Sequence, residues 1–134
     1  MKLLKVSFDN LRMFKDGKFE IDLFASDKVP SSDESVTALA GRLYSNNIIG
    51  IAGINASGKT TALVLLELAG KIIEGAPIPG SGIPSTIASM FDGPSNFKCL
   101  ACEGEKCYLV ESEIVFREDG AAEGILMGLS LIHI

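Results

Sequence analysis

The chain has 134 residues, 47% of them apolar, and a formal net charge of −5 from 12 basic and 17 acidic side chains. This length suffices for one small domain with a hydrophobic core. The acidic balance argues against a broad nucleic-acid groove and leaves only a local basic patch open, and the apolar runs are too short to span a bilayer. Because the N-terminus also lacks the long apolar segment of a signal peptide, we expect a cytoplasmic protein without membrane contact.

The N-terminal residues 1–25 are expected to form antiparallel strands. Residues 3–8 are short, apolar and partly alternating, which favours a strand. Residues 18–24 alternate with a period of two and predict a half-buried second strand. The Asp16-Gly17 pair between them is typical of a turn, so the two strands should form a hairpin or meander.

Residues 46–74 predict a strand, a glycine loop and a helix. Residues 47–52 are nearly all apolar and lead into a glycine loop, the pattern of a strand buried on both faces of a sheet. Residues 60–73 contain no proline and are rich in Ala and Leu, which favour a helix. The apolar residues that share one face of this helix are Leu65, Leu68, Ala69 and Ile72.

Residues 96–128 predict a second pair of antiparallel strands. The two strands are expected over residues 97–102 and 107–116, joined by the sequence EGEK. Asp119-Gly120 then marks a further turn. No internal repeat interrupts this order of elements.

The sequence GINASGKT matches the phosphate-binding pattern G-x-x-x-x-G-K-[ST] in full. The residues that we expect to contact a nucleotide here are Gly53, Asn55, Ala56, Ser57, Gly58, Lys59, Thr60 and Thr61. Successive backbone N–H groups of such a loop bind a phosphate together with the positive end of the following helix. Lys59 is expected to reach the β- and γ-phosphates, Thr60 to ligate Mg²⁺, and Thr61 to lie near the α-phosphate. The alternative is a glycine-rich turn that binds nothing.

Two stretches resemble the ABC-type ATPases of the SMC, RecF and OLD-like group. That group often begins with a strand, an Asn-Phe-Arg-like turn and a second strand, and then reaches a Gly-x-Asn-Gly-x-Gly-Lys-Ser/Thr loop. Here VSFDNLRMF carries Asn10, Arg12 and Phe14 in the turn, and GINASGKTT fits the loop. Ala56 replaces the usual glycine, which tightens the backbone slightly without removing a donor. The resemblance covers about the first 120 residues, but only the loop is specific.

The resemblance implies an α/β P-loop NTPase fold: an incomplete, ABC-ATPase-like N-terminal lobe with mixed and antiparallel strands around a buried P-loop strand and helix. It also implies that Arg12 pairs with phosphate and Phe14 stacks on adenine; the alternatives are a solvated arginine and a core phenylalanine. The implied ligands are ATP and Mg²⁺. ATP is preferred to GTP because the chain has no guanine-reading Asn-Lys-x-Asp sequence. The complete protein would form a homodimer around ATP.

The residues that hydrolysis requires are not identified in this chain. Hydrolysis needs an acidic residue after a buried strand to organise Mg²⁺, and a second group to orient water. The chain contains no glutamine and no Leu-Ser-Gly-Gly signature, and its one histidine is His133. Glu111, Glu118 and Asp119 imitate the Walker B acids, but a solvated strand edge or hairpin tip explains them better. We therefore assign no catalytic residue.

The chain is accordingly expected to be a single partial ATP-binding domain over residues 1–134, inactive alone and an ATPase when complete. Residues 129–134 resemble translated sequencing-adapter sequence, which predicts a non-native tail; a final apolar strand is the alternative. Two other functions stay open. The chain would be a switch module that holds a nucleotide without hydrolysing it, or an inactive truncated fragment.

The three cysteines, Cys99, Cys102 and Cys107, are expected to be buried or half-buried thiols. An odd number of cysteines without an export signal argues against a disulfide framework. A tetrahedral metal site needs four ligands, and Cys99 and Cys102 should point to opposite faces of a strand, so metal binding is disfavoured. Cys102 and Cys107 flank a four-residue turn and are expected to face each other across a hairpin.

Overall fold

The computed structural model describes residues 2–25, 34–40, 43–53, 58–76 and 85–116. The elements along the chain are β1 (Lys2–Phe8), β2 (Phe19–Asp22), β3 (Phe24–Ala25), β4 (Val36–Ala40), β5 (Leu43–Asn46), α1 (Lys59–Glu74), a 3₁₀ helix (Ser85–Met90), β6 (Ser95–Glu103) and β7 (Lys106–Ile114). No helix in these ranges is long and apolar enough to cross a membrane. The predictions for the loop residues 54–57, the Asp119-Gly120 turn and the tail 129–134 lie outside the described residues.

Four strands form one antiparallel sheet in the order β2-β1-β6-β7. The predicted N-terminal strands pair as β1 and β2, with Phe8 opposite Phe19, and the predicted second pair forms β6 and β7, with Phe97 opposite Ser112. β1 and β6 join the two pairs, with Phe8 opposite Phe97. Both strand pairs are therefore confirmed. Because paired residues share a face, one row of side chains crosses all four strands on one side of the sheet.

Helix α1 covers this side of the sheet. It begins after Gly58, which has a left-handed φ of 92°, and it ends at Gly75, which has a left-handed φ of 66°. Its buried residues are Thr61, Val64, Leu65, Leu68, Ala69 and Ile72. The apolar members of this set form one cluster with Phe8 and Phe97 of the sheet. The predicted helix and its buried face are thus confirmed.

The strands β3, β5 and β4 form a second antiparallel sheet in that order. It meets the four-stranded sheet at a smaller apolar cluster, in which three side chains are buried and three partly buried ones pack against them: Leu4, Cys102 and Cys107, with Phe24, Leu39 and Leu100. The register of β1 shifts between Leu3 and Lys5, as at a β-bulge. A backbone hydrogen bond of 2.7 Å from Leu23 N–H to the Leu4 carbonyl also links the end of β2 to β1.

The predicted α/β P-loop NTPase fold is wrong. The described residues form two antiparallel sheets and one α-helix, whereas an α/β fold needs parallel strands with helices on both faces. Every strand pairing in the described ranges is antiparallel. β1 and β6 already have a neighbour on each side, so neither can pair with a further strand.

The predicted buried strand over residues 47–52 is also wrong. β5 ends at Asn46, and the following residues up to Gly53 are neither helix nor strand. Ile48 is 80% exposed and Ile49 is 43% exposed. Burial on both faces requires neighbouring strands as well as apolar side chains, and the described part of the chain supplies no such neighbours here.

Candidate functional site

The first turn of α1 is the centre of the candidate site. Gly58 precedes the helix, and Lys59 and Thr60 are its first two residues. The first turn contains no acidic residue, and no side chain of the described residues caps it. The first backbone N–H groups of a helix have no partner within the helix and carry partial positive charge, so this end attracts an anion.

Lys59 brings the two described ends of the glycine loop together. Its Nζ donates a hydrogen bond to the carbonyl of Gly53, the first glycine of the motif. Asn55, Ala56 and Ser57, which the motif assigns to the ligand, lie outside the described residues. An ammonium group has three N–H donors, so one carbonyl leaves two of them for a phosphate. The loop ends therefore place a cation beside an uncapped helix end.

The turn between β1 and β2 packs against this helix end. A Cβ on Gly58 would lie 3.8 Å and 3.9 Å from two ring carbons of Phe14, and 4.0 Å from Met13 Sδ. Thr61 Oγ1 donates a hydrogen bond to Met13 Sδ over 3.1 Å. The Phe14 ring also packs on Phe19, with ring centroids 5.8 Å apart. Met13 and Phe14 thus form an apolar wall beside the first turn of α1.

Backbone hydrogen bonds fix the turn that carries the apolar wall. Leu11 N–H donates to the Gly17 carbonyl over 2.9 Å, and Gly17 N–H donates to the Phe14 carbonyl over 2.9 Å. Asn10 begins the turn with a φ of 59°, a region that asparagine adopts more readily than most residues. Its Nδ2 donates to the Pro94 carbonyl over 2.9 Å, which attaches the turn to the start of β6.

Arg12 lies in the same turn but makes different contacts. Its Nε pairs with Asp92 Oδ1 at 2.8 Å and donates to the Phe91 carbonyl over 3.2 Å. The side chain is 61% exposed and lines a cavity of about 330 Å³, to which Phe91 and Phe116 also contribute. The structure therefore brings Phe14 to Gly58 and engages Arg12 with Asp92.

Of the three acidic residues that imitate a Walker B motif, the structure describes only Glu111. Glu111 pairs with Lys98 at 3.1 Å, on the side of the sheet opposite to the row that contains Phe97. Glu118 and Asp119 lie outside the described residues. In the described ranges, no group of three or more His, Cys, Asp or Glu side chains could hold a metal ion. The exposed Thr60, the predicted Mg²⁺ ligand, is the second residue of α1.

The prediction that the cysteines form no disulfide is wrong. Cys102 and Cys107 face each other across the β6–β7 hairpin, as predicted, with Cα atoms 4.1 Å apart and their sulfur atoms bonded. The spacing was the available signal, because the two-residue turn of Gly104 and Glu105 puts this pair directly in register. Cys99 is a buried free thiol, and burial raises its pKa to about 12.

Met13 is the residue of this site that sequence reasoning missed. Nothing in a lone methionine within a turn indicates a contact with a helix 48 positions away. The only available signal was its place directly before Phe14, in the turn to which the resemblance assigns a ligand contact.

Comparison with known proteins identifies no relative: no family model, no curated protein sequence and no solved structure matches the chain. The features of the chain that indicate a function are therefore the motif and the contacts around the first turn of α1.

Proposed function

We propose that this chain binds ATP and Mg²⁺ at the start of α1, through the glycine loop that begins at Gly53. The observation that carries the proposal is the Lys59 ammonium group, which lies on the Gly53 carbonyl beside an uncapped helix end. A cation beside unpaired backbone donors favours the binding of a polyphosphate. The proposal depends on the loop and the helix and does not require an α/β sheet.

Each residue around the helix end contacts a different part of the proposed ligand. Lys59 exchanges the Gly53 carbonyl for the β- and γ-phosphates, while Thr60 offers an exposed hydroxyl to Mg²⁺. Thr61 lies one residue further and serves the α-phosphate. The apolar wall of Met13 and Phe14 borders the same turn and offers the nucleoside a non-polar surface. A nucleoside triphosphate therefore fits this site better than inorganic polyphosphate.

The resemblance to ABC/SMC-like ATPases supports a wider role. In that role the chain is the N-terminal part of a cytoplasmic ATPase whose complete form hydrolyses ATP between two copies. The alternatives are a switch module that binds the nucleotide without hydrolysing it, and an inactive fragment. A phosphate-release assay on the complete protein separates the proposed ATPase from the switch module, because only hydrolysis liberates inorganic phosphate from bound ATP.

Isothermal titration calorimetry with ATP and Mg²⁺ tests the proposal. Lys59→Ala removes a charge-assisted donor, so we expect affinity to fall by about tenfold or more. Lys71→Ala is the matched control, because it removes the same charge from the last turn of the same helix. We expect the control to bind ATP like the wild type. Equal affinity of Lys59→Ala and the wild type, with both folded by circular dichroism, would refute the proposed site.

A further inference from the structure

The Cys102–Cys107 pair lies where the two sheets meet. Cys102 is 1% exposed and Cys107 is 7% exposed, and both belong to the smaller apolar cluster. Phe24 of β3 and Leu39 of β4 pack against this cluster from the three-stranded sheet, and Leu4 contributes from β1. The pair therefore touches a cluster shared by both sheets, in addition to linking its own hairpin.

The two cysteines occupy more space in this cluster as separate thiols than as a disulfide. Bonded sulfur atoms lie about 2 Å apart, whereas two thiols must separate to van der Waals contact, roughly 3.5–4 Å. A close-packed interior does not absorb such a change without movement of its neighbours. Phe24 and Leu39 are only partly buried, so they can move at lower cost than the fully buried Leu4.

The three-stranded sheet leads directly into the candidate nucleotide site. Asn47 follows β5 and is tied to β4, since Thr37 Oγ1 donates to Asn47 Oδ1 over 2.7 Å. Asn47 Nδ2 also donates to the Glu34 carbonyl over 3.0 Å. A few residues later the chain reaches Gly53, whose carbonyl holds Lys59. The three-stranded sheet is therefore joined to the start of the glycine loop by continuous described backbone.

We propose that Cys102 and Cys107 form a redox switch, in which their disulfide holds the three-stranded sheet against the four-stranded sheet and their reduction loosens that contact. Its biological use rests on the proposed cytoplasmic location, where thiols are mostly reduced and disulfides are usually transient and redox-sensing. Cys99 takes no part in the exchange. It lies on the opposite face of β6, buried in the cluster that contacts α1.

A small dithiol reduces the Cys102–Cys107 disulfide by thiol–disulfide exchange and supplies the two electrons that the reduction needs. A thiolate of the dithiol attacks Sγ of Cys107, the more exposed residue of the pair, and Cys102 Sγ leaves as a thiolate that takes up a proton. The second thiolate of the dithiol then attacks the mixed disulfide, which closes the disulfide of the reagent and releases Cys107 as a thiol. Two electrons and two protons pass to the protein, and oxidised glutathione reverses the reaction by forming two glutathione thiols.

Hydrogen exchange of the oxidised and reduced wild type tests the switch, with mass spectrometry used to confirm the gain of two hydrogen atoms. The protein carries no nucleotide in this experiment, so the result is independent of the proposed ATP site. We expect reduction to lower the protection of backbone amides in β4 and β5 by about tenfold or more, and reoxidation to restore it. Amides in the centre of β1 and β6 should keep their protection and serve as an internal reference.

Two variants separate the switch from a general effect of reductant. Cys102→Ser/Cys107→Ser should resemble the reduced wild type and should not respond to oxidant, while Cys99→Ala should respond like the wild type. If the double variant does not fold, the comparison of the two wild-type states decides alone. Equal protection of β4 and β5 in both verified states would overturn the proposal, as would a pair that stays reduced in oxidised glutathione.

Discussion

Met13 accepts a hydrogen bond from Thr61, with the Thr61 hydroxyl oxygen 3.1 Å from Met13 Sδ. Thr61 is 9% exposed, so its hydroxyl needs a hydrogen-bond partner within the protein. A thioether sulfur is a weak acceptor, which means that a phosphate oxygen can replace it at small cost. The contact therefore satisfies the buried Thr61 hydroxyl with a weak acceptor, which the phosphate of the proposed function would have to displace.

A double-mutant cycle measures the Met13–Thr61 contact. Met13→Leu preserves most of the volume but leaves the Thr61 hydroxyl without its acceptor, so we expect it to lower the free energy of unfolding by about 1 kcal/mol. In the Thr61→Val background the same change should cost less, because no hydroxyl is left unpaired. Urea unfolding of the four proteins without nucleotide gives the coupling. Strictly additive effects would show that the contact contributes nothing to stability.

A Gly→Ala substitution is expected to change the free energy of unfolding in opposite directions at Gly58 and at Gly70. Gly58→Ala places a Cβ on a backbone with a φ of 92°, so we expect a loss of about 1–2 kcal/mol in the free energy of unfolding. Gly70 lies inside α1 with open space around an added Cβ, so Gly70→Ala should stabilise the protein by about 0.5–1 kcal/mol. Thermal unfolding of both variants shows whether each substitution stabilises or destabilises the protein. A stabilising Gly58→Ala would contradict the described start of the helix.

The contacts of Arg12 predict a limited role in ATP binding. Its ion pair with Asp92 is more than half exposed on both sides, so Arg12→Ala and Asp92→Asn should each cost less than about 1 kcal/mol of stability. Because Asp92 already neutralises the guanidinium, we expect Arg12→Ala to weaken ATP binding less than Lys59→Ala does. Calorimetry on the two variants ranks them. An equal or larger loss in Arg12→Ala would place Arg12 on the phosphates, as the resemblance implies.

Local sequence patterns predicted the elements that bury one face. β2 and β6 alternate along the chain, and α1 repeats its apolar residues three and four positions apart, because each packs a single side against the same core. The motif predicted that Lys59 reaches the β- and γ-phosphates, which stays a prediction; the contact that the structure describes is with the Gly53 carbonyl of the same short segment.

Features that depend on distant partners could not be predicted in the same way. Ile48 and Ile49 are apolar residues of the kind found in buried strands, but both are exposed. Burial also depends on which strands lie beside the segment, and the local sequence does not encode that. The disulfide was missed because the odd number of cysteines was given more weight than the register of Cys102 and Cys107. The Met13 contact depends on how the turn folds over α1, which no local period encodes.

The buried thiol of Cys99 is expected to make the stability of the protein depend on pH above pH 9. Burial raises the pKa of its thiol from an ordinary value of 9.0 to about 12, so the folded protein keeps a proton that the unfolded chain loses above pH 9. Between these values the folded state binds more protons, and the free energy of unfolding should fall as pH rises, by up to about 1.4 kcal/mol per pH unit. Below pH 9 this thiol should contribute no pH dependence.

Cys99→Ala isolates this effect from other groups that titrate in the same range. The variant loses a small buried volume, which changes stability by an amount that does not depend on pH. The oxidised protein is used, because the bonded Cys102 and Cys107 then do not titrate. We expect the stability advantage of the wild type over Cys99→Ala to be constant up to pH 9 and to shrink steadily from pH 9 to 11 in urea unfolding. A constant difference over that range would mean that the thiol titrates alike in both states, which is incompatible with its burial between β6 and α1.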